Sequence, residues 1–352
     1  MLILGLETSC DETAAAVVEE TDDAARPWRV RSNIVASQAE IHRVWGGVVP
    51  EIASRQHLRD ICGVTDRALT DAGVAIGDLD AVAVTEGPGL VGSLLVGVAF
   101  AKALAAARGL PLVPVHHLAG HIESLFLHNG PLPLPAVVLI VSGGHTSLYR
   151  VPAPGVYERL GRTRDDAAGE AYDKVAKLMG LGYPGGPVID RLARTGNDRA
   201  VELPVTRITH RDRNAPKAAG ALDFSYSGLK TAVLRYVETR KTSGAWPMSD
   251  ADVADLCASF QRVVVQSLLD RLFDAAAQLG AASVGIAGGV SANSRLRADA
   301  VARGASIGLP VFIPSLALST DNAAMIAAAG LRRFAAGVRA DAALNADASL
   351  ML

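Results

Sequence analysis

The sequence predicts an α/β protein of two related lobes with a ligand cleft between them, and three observations carry that expectation. A strand, tight turn, strand pattern occurs twice, in LILGLETSCDETAAAVV (residues 2–18) and in VVLIVSGGHTSLYRV (residues 137–151). Each is followed by apolar strand runs alternating with helical periodicity, the order that lays helices on the faces of a sheet. Glycine turns also recur, in SGGH at residues 142–145 and in GIAGGVSANSRLR at residues 285–297. Such turns let backbone N–H groups approach an anion closely, and their recurrence beside the polar first turn suits one nucleotide-like ligand.

Taken in order, the first hairpin is followed by helical periodicity over residues 51–73, with Ile52, Leu58, Ile61, Val64 and Leu69 on a broadly apolar face. A strand over residues 79–84 runs into Glu86-Gly87-Pro88-Gly89, and an Ala-rich helix covers about residues 91–108. The apolar run at residues 110–115 is the next strand, and a helical pattern opens after it. NGPLPLP (residues 129–135) is the most loop-like joint. Past the second hairpin, helices are expected at about 169–180, 188–194, 226–241 and 251–279, strands at 282–287 and 309–313, and a last helix capped by Thr320 or Asp321. The tail beyond Ala340 has no periodicity and is expected to fray. The lobes expected are residues 1–112 with 322–345, and residues 113–321.

At 352 residues and 50% hydrophobic content the chain has room for about two cored domains. Its apolar stretches are interrupted, as Val96–Ala107 is by Lys102, so no membrane span is expected. The first residues have no basic region ahead of an apolar one, so the expected location is the cytoplasm. Three scattered cysteines, Cys10, Cys62 and Cys257, make neither a disulfide framework nor a CxxC zinc site. The net charge is only −2, yet residues 191–241 hold eleven Lys/Arg against five Asp/Glu, leaving −8 for the remainder. A basic patch beside an acidic body fits a polyanion, and equally fits a solvated face.

The candidate chemistry centres on VPVHHLAGHIESLFL. His117 and His121 stand four residues apart at the start of a helix, a spacing that brings both imidazoles to one metal ion, although paired histidines can also be ordinary core or surface residues.

With ETSCDET, VVPEIASRQH, EGPGLVGSLLVG, HHLAGH, VSGGHT, GEAYDKVAKLMGLGYPGGP, FSYSGLKTAV, GGVSAN and STDNAAMIA in this order, the chain resembles the threonylcarbamoyl-transferring family of the bacterial system that makes N6-threonylcarbamoyladenosine in tRNA, formerly labelled glycoproteases. The resemblance runs from Leu2 to about Phe334. It implies the two-lobed fold of actin, sugar kinases and heat-shock ATPases. It also implies transfer of the threonylcarbamoyl group from threonylcarbamoyl-AMP to the adenosine next to the anticodon, in tRNAs reading codons that begin with A. By the same resemblance His117, His121 and Asp321 hold a metal, a donor set that suits Fe(II) and also Zn(II). Ile140, Val141, Ser142, Gly143 and Gly144 would contact the phosphate, and Asp173, Gly186, Asp190 and Asn293 the nucleoside. The implied partners are tRNA, a smaller paralogous subunit and a separate ATPase. Trp45 stands where many members have tyrosine, and the tail lacks their Arg-Pro-Arg-Trp-type ending.

Acyl transfer to an amine needs orientation and charge stabilisation rather than a nucleophilic side chain, so Cys10 is not required. Asp11 and Glu12, in the first turn, are candidates to take the proton, Glu12 foremost. A zincin-type protease would need glutamate after the first histidine, where this chain has Leu118. A kinase-like ATPase would hold Mg²⁺ through carboxylates and water rather than imidazoles. A dead scaffold would be expected to lack the ligands.

Overall fold

Strands β1 (Leu2–Glu7) and β2 (Glu12–Glu20) form the first hairpin, paired from Leu2 opposite Glu19 to Glu7 opposite Ala14. The computed structural model describes residues 1–205 and 222–352. The chain continues through β3 (Trp28–Ser37), α1 (Ala39–Arg43), α2 (Pro50–Ala72), β4 (Ala81–Gly87), α3 (Val91–Arg108), β5 (Leu112–His116) and α4 (His117–Asn129). The sheet order is β3-β2-β1-β4-β5, with β4 and β5 parallel to β1. Both faces of β1, β4 and β5 are covered, so these strands read as nearly unbroken apolar runs. Leu4, Leu6, Val82 and Val84 point to the layer of α2 and α3, while Ile3, Ala81, Ala83, Val113 and Val115 point to the other.

The chain then builds β6 (Ala136–Val141), β7 (Thr146–Ala153), β8 (Val156–Arg162), α5 (Ala168–Leu178), α6 (Gly185–Ala193), α7 (Ser227–Thr242), α8 (Asp250–Leu279), β9 (Ser283–Ala287), α9 (Ser294–Ser306) and β10 (Val311–Phe312). Their sheet, β10-β9-β6-β7-β8, repeats the first plan: an antiparallel three-strand meander with two parallel strands added beside its first strand. Its core packs Val137, Leu139 and Val141 under the helices, around Tyr172, Phe260 and Leu268. The α/β class and the doubled plan are as expected.

Finally α10 (Leu316–Ser319) and α11 (Ala323–Ala335) return to the first unit. Helix α11 covers the sheet face opposite α2 and α3, and glycine makes this possible. A Cβ on Gly5 of β1 would stand 2.4 Å from the Ala323 carbonyl oxygen. The Ala-rich face of α11 thus lies directly on the strand backbone.

The structure differs from the expected lobes. Its units are Met1–Leu132 with Pro314–Leu352, and Pro133–Ile313. Residues 113–132 and 314–321 therefore sit in the first unit, because β5 pairs with β4 and α4 packs on α11. The chain crosses at the Pro-rich joint. The last helix is capped by neither Thr320 nor Asp321: Asn322 Oδ1 accepts from Met325 N at 3.1 Å. Nor does the tail fray. Ala340 N donates to Leu112 O at 2.8 Å, Asp347 N to Glu86 O at 2.8 Å, and His116 Nε2 lies 3.2 Å from Leu350 O. Two strands, β3 and β8, went unread because each is an outer strand with much of its surface exposed, blurring the alternation. Among the described residues α3 alone is long and apolar enough by composition to cross a membrane, and here it packs on β4 and α2.

Candidate functional site

Strand β5 delivers the chain to the histidines. His116 caps α4, its Nδ1 accepting from Leu118 N at 3.1 Å, so the helix begins at His117. One turn on, His121 faces it with ring centroids 4.7 Å apart and planes at 81°. Gly120, between them, lets α4 close on α11: a Cβ there would lie 2.8 Å from Ile326 Cδ1. With Asn322 taking the cap, Asp321 is left to the histidines. Its Oδ1 lies 3.2 Å from His121 Nε2 and 3.7 Å from His117 Nε2. Ligand atoms of all three residues fall within 4.8 Å of one another.

The fit of a metal to this set is supported by an unmet need. His121 is fully buried, and neither of its ring nitrogens makes a hydrogen bond of acceptable geometry among the described residues, despite the nearby carboxylate. A buried polar atom without a partner costs about 1–3 kcal/mol, a deficit that coordination removes. Burial also lowers its pKa, favouring the neutral imidazole that ligates.

Glu7 was not found from the sequence. It ends β1, fully buried, with Oε2 3.0 Å from His117 Nδ1 and accepting from Thr85 Oγ1 at 2.7 Å, while Ser9 N donates to Oε1. A carboxylate on Nδ1 keeps a proton on that nitrogen and would leave Nε2, on the Asp321 side, to a metal, the usual outer-shell support of a metal-binding histidine. Burial opposes charge on His117, but the Asp321 and Glu7 carboxylates outweigh it and push its pKa up to about 9. The only sequence signal was an acid closing an apolar strand.

Asp11 and Glu12 lie in the same unit, at the turn into β2. Glu12 Oε1 accepts from Ser37 Oγ at 3.3 Å. Burial, then the negative charges of Asp11 and Asp321, hold its carboxyl well above the usual range.

The expected adenylate residues all fall in the second unit. Ile140 and Val141 are committed to the sheet, opposite Ser147 and Thr146, and fully buried, so the loop opens only at Ser142. Ser142 N donates to His145 O at 2.8 Å and closes the turn. Gly143 and Gly144 are exposed, with nothing within 4 Å of where a Cβ would stand, and the half-buried Gly186 has the same clear space at its Cβ position. Asp173 accepts from Gly185 N at 2.7 Å, holding the start of α6. Asp190 and Asn293 are brought together by a residue the sequence did not single out. Gln261 of α8 donates to Asp190 Oδ1 at 3.2 Å and accepts from Asn293 Nδ2 at 2.8 Å. Ser294 Oγ adds a bond to Asp190 at 2.8 Å, and Asn293 Oδ1 caps α9. Gln261 was hidden in the long apolar pattern of α8.

Known proteins agree with this architecture. The crystal structure of full-length HypF in its phosphate- and nucleotide-bound form superposes with a TM-score of 0.57 at 13% identity, over 95% of this chain and 55% of that one, a likeness of fold. A tRNA N6-adenosine threonylcarbamoyltransferase of Koribacter versatilis is 48% identical across 100% of this chain and 99% of its own length. One of Anaeromyxobacter dehalogenans is 54% identical, covering 98% of each. The sequence profile named TsaD, tRNA N6-adenosine threonylcarbamoyltransferase, matches residues 29–328. A match of that extent, with relatives near half identity along the full length, settles kinship: the chain belongs to the TsaD family of tRNA N6-adenosine threonylcarbamoyltransferases.

Proposed function

We propose that the chain, an acyltransferase by its family, moves the threonylcarbamoyl group of threonylcarbamoyl-AMP to N6 of the adenosine next to the anticodon in tRNAs reading codons that begin with A. The observation that carries the chemistry is the convergence of His117, His121 and Asp321 within 4.8 Å. Two imidazoles and a carboxylate suit one Fe(II) per chain, with Zn(II) the alternative. Such an ion, when bound, supplies a Lewis acid for a carbonyl or phosphate oxygen.

The protein's own groups do the rest. N–H groups at Gly143 and Gly144 receive phosphate beside Ser142, whose own N–H is committed to His145 O, while Asp173, Gly186, Asp190 and Asn293 receive the nucleoside, with Ile140 and Val141 anchoring the loop in the sheet. The amine nitrogen bonds to the carbamoyl carbon, the bond from that carbon to the phosphate oxygen breaks, and AMP leaves with the electron pair. Asp11 or Glu12 takes the amine proton. A carboxyl held above its usual range is the stronger base once ionised, which favours Glu12.

The partners in this reading are tRNA, a smaller paralogous subunit, a separate ATPase and an enzyme making threonylcarbamoyl-AMP, all in the cytoplasm. The smaller subunit docks on α2 and α3, where Leu58 and Val91 are 65% and 54% exposed. The tRNA docks on the basic segment, from Arg191 to Lys241, by salt-sensitive phosphate contacts. Arg207, Arg211, Arg213 and Lys217 of that segment lie outside the described residues.

The test is metal analysis with transfer assays on His117→Ala and Asp321→Ala. The parent should carry about one metal ion per chain and each variant less than about a tenth of that. Transfer should fall roughly 10³-fold or more, with AMP-analogue binding by calorimetry preserved. Full metal occupancy in both variants would overturn the assignment.

A further inference from the structure

A buried string of side chains runs from the start of α2 to the turn bearing Asp11 and Glu12, and backbone groups fix the proton positions along it. The Cys10 carbonyl oxygen can only accept, so His57 Nε2, 3.0 Å away, carries the hydrogen. Its Nδ1 is then bare and accepts from Thr13 Oγ1 at 2.7 Å, with Gln38 Nε2 at 3.4 Å. At the far end Val49 N donates to His42 Nδ1 at 3.3 Å. That leaves His42 Nε2 to donate to Gln38 Oε1 at 3.2 Å. Thr13, Gln38, His42 and His57 are all at most 1% exposed.

The string encloses the carboxylates. His57 holds Cys10 and Thr13, the residues on either side of Asp11 and Glu12. Gln38 N donates to Asp11 O at 2.9 Å, and Ser37 holds the Glu12 side chain. The neighbouring buried positions of α2, Ala53, Ile61 and Val64, are apolar. A buried imidazole among them costs desolvation that an aliphatic side chain would not. Burial also keeps it neutral, as both bonds require.

We infer that His57 is a positioning residue for the reaction, cross-linking the Cys10–Thr13 turn so that the Asp11 and Glu12 carboxylates are held where the amine proton must go. The inference rests on the proposed role of those carboxylates. His57 does not touch the reacting atoms and acts through the turn. Glutamine, with one amide donor and one carbonyl acceptor, reproduces its bonding; leucine fills the space without it.

The experiment compares His57→Leu, His57→Gln and Thr13→Val in the complete system of chain, partner subunits, tRNA and threonylcarbamoyl-AMP. His57→Leu should lower kcat about 10- to 100-fold, the cost of misplaced catalytic groups. KM for threonylcarbamoyl-AMP and metal content should stay within about twofold. His57→Gln should regain most of the loss, and Thr13→Val should show a smaller loss of the same kind, which serves if the leucine variant fails to fold. Amide hydrogen exchange at residues 11–13 should quicken in His57→Leu or, failing that, in Thr13→Val. Unchanged kcat, or parallel loss of metal and kcat, or unaltered exchange would overturn the inference. In an Asp11→Asn, Glu12→Gln background His57→Leu should add no further loss of kcat; an undiminished loss there would overturn it too. Full activity in that background alone would instead refute the carboxylate reading, while exchange still reports whether His57 holds the turn.

Discussion

The turn between β1 and β2 and the turn between β6 and β7 occupy the same place in two sheets of the same order, yet they are built for opposite charges. The first is edged by Glu7, Asp11 and Glu12 and is tied down. Glu7 takes Ser9 N, Leu90 N donates to Ser9 O at 2.8 Å, and His57 holds Cys10 O. The second has no carboxylate. Beyond its own closure it is held by Gly169 N on Ser142 O at 3.1 Å, and it leaves Gly143 and Gly144 bare. One backbone plan thus gives a rigid acidic cradle beside imidazoles in one unit and an open set of N–H donors in the other. Topology supplied the position, and a handful of side chains chose the ligand.

The sharpest way to break this contrast is Glu7→Gln. The amide keeps the shape but removes the charge that orients His117, so metal affinity should fall about 10- to 100-fold. Adenylate binding in the second unit should not move. Metal titration beside calorimetry checks both, and unchanged metal affinity would reduce Glu7 to a structural acid.

Gly144→Val reverses the experiment. Because nothing lies within 4 Å of the added Cβ, folding should be nearly unaffected while the side chain crowds the phosphate. AMP-analogue affinity should drop roughly tenfold, about 1.4 kcal/mol, with metal content intact. A large loss of thermal stability instead would mean that the turn is not open.

The smallest effects are in pH dependence, where the two units should differ in sign. In the second unit burial opposes ionisation of Asp166, but hydrogen bonds and attraction from Lys174 and Lys230 together outweigh it and hold its carboxyl below the ordinary 3.8. A depressed folded pKa gives stability that is present above 3.8 and lost as pH falls through the folded value. Asp166→Asn should therefore melt about 1–3 °C lower at pH 7, and the difference should vanish in acid. Glu12 is raised, first by burial, above its ordinary 4.5. Its ionisation costs stability as pH climbs from 4.5 through the folded value, so Glu12→Gln should melt higher than the parent at pH 7 in metal-free protein, and match it below about 4.5. Melting curves from pH 3 to 8 test both, and equal signs would remove the contrast.

Much of this molecule was legible in the order of its residues. The doubled hairpin, the long helices α2, α3 and α8 and the spacing of His117 and His121 are local patterns, each carried by neighbours a few positions apart. The edge strands were not legible, because an outer strand need not alternate. Nor was the true joint between the units chosen, although the Pro-rich stretch at residues 129–135 was in view, since only the pairing of β5 with β4 assigns α4 to the first unit. Glu7, Gln261 and His57 read as an acid at a strand end and polar residues in helices. Burial and partners from distant segments give them meaning. Asp321 is the clearest case. Its local pattern placed it before a helix and suggested a cap, and only the family resemblance named it a metal ligand; its approach to the histidines depends on α11 lying against Gly5 and Gly120. Local periodicity determines which elements form and which faces are apolar, but a ligand set drawn from opposite ends of the chain exists only once close packing has brought those faces together.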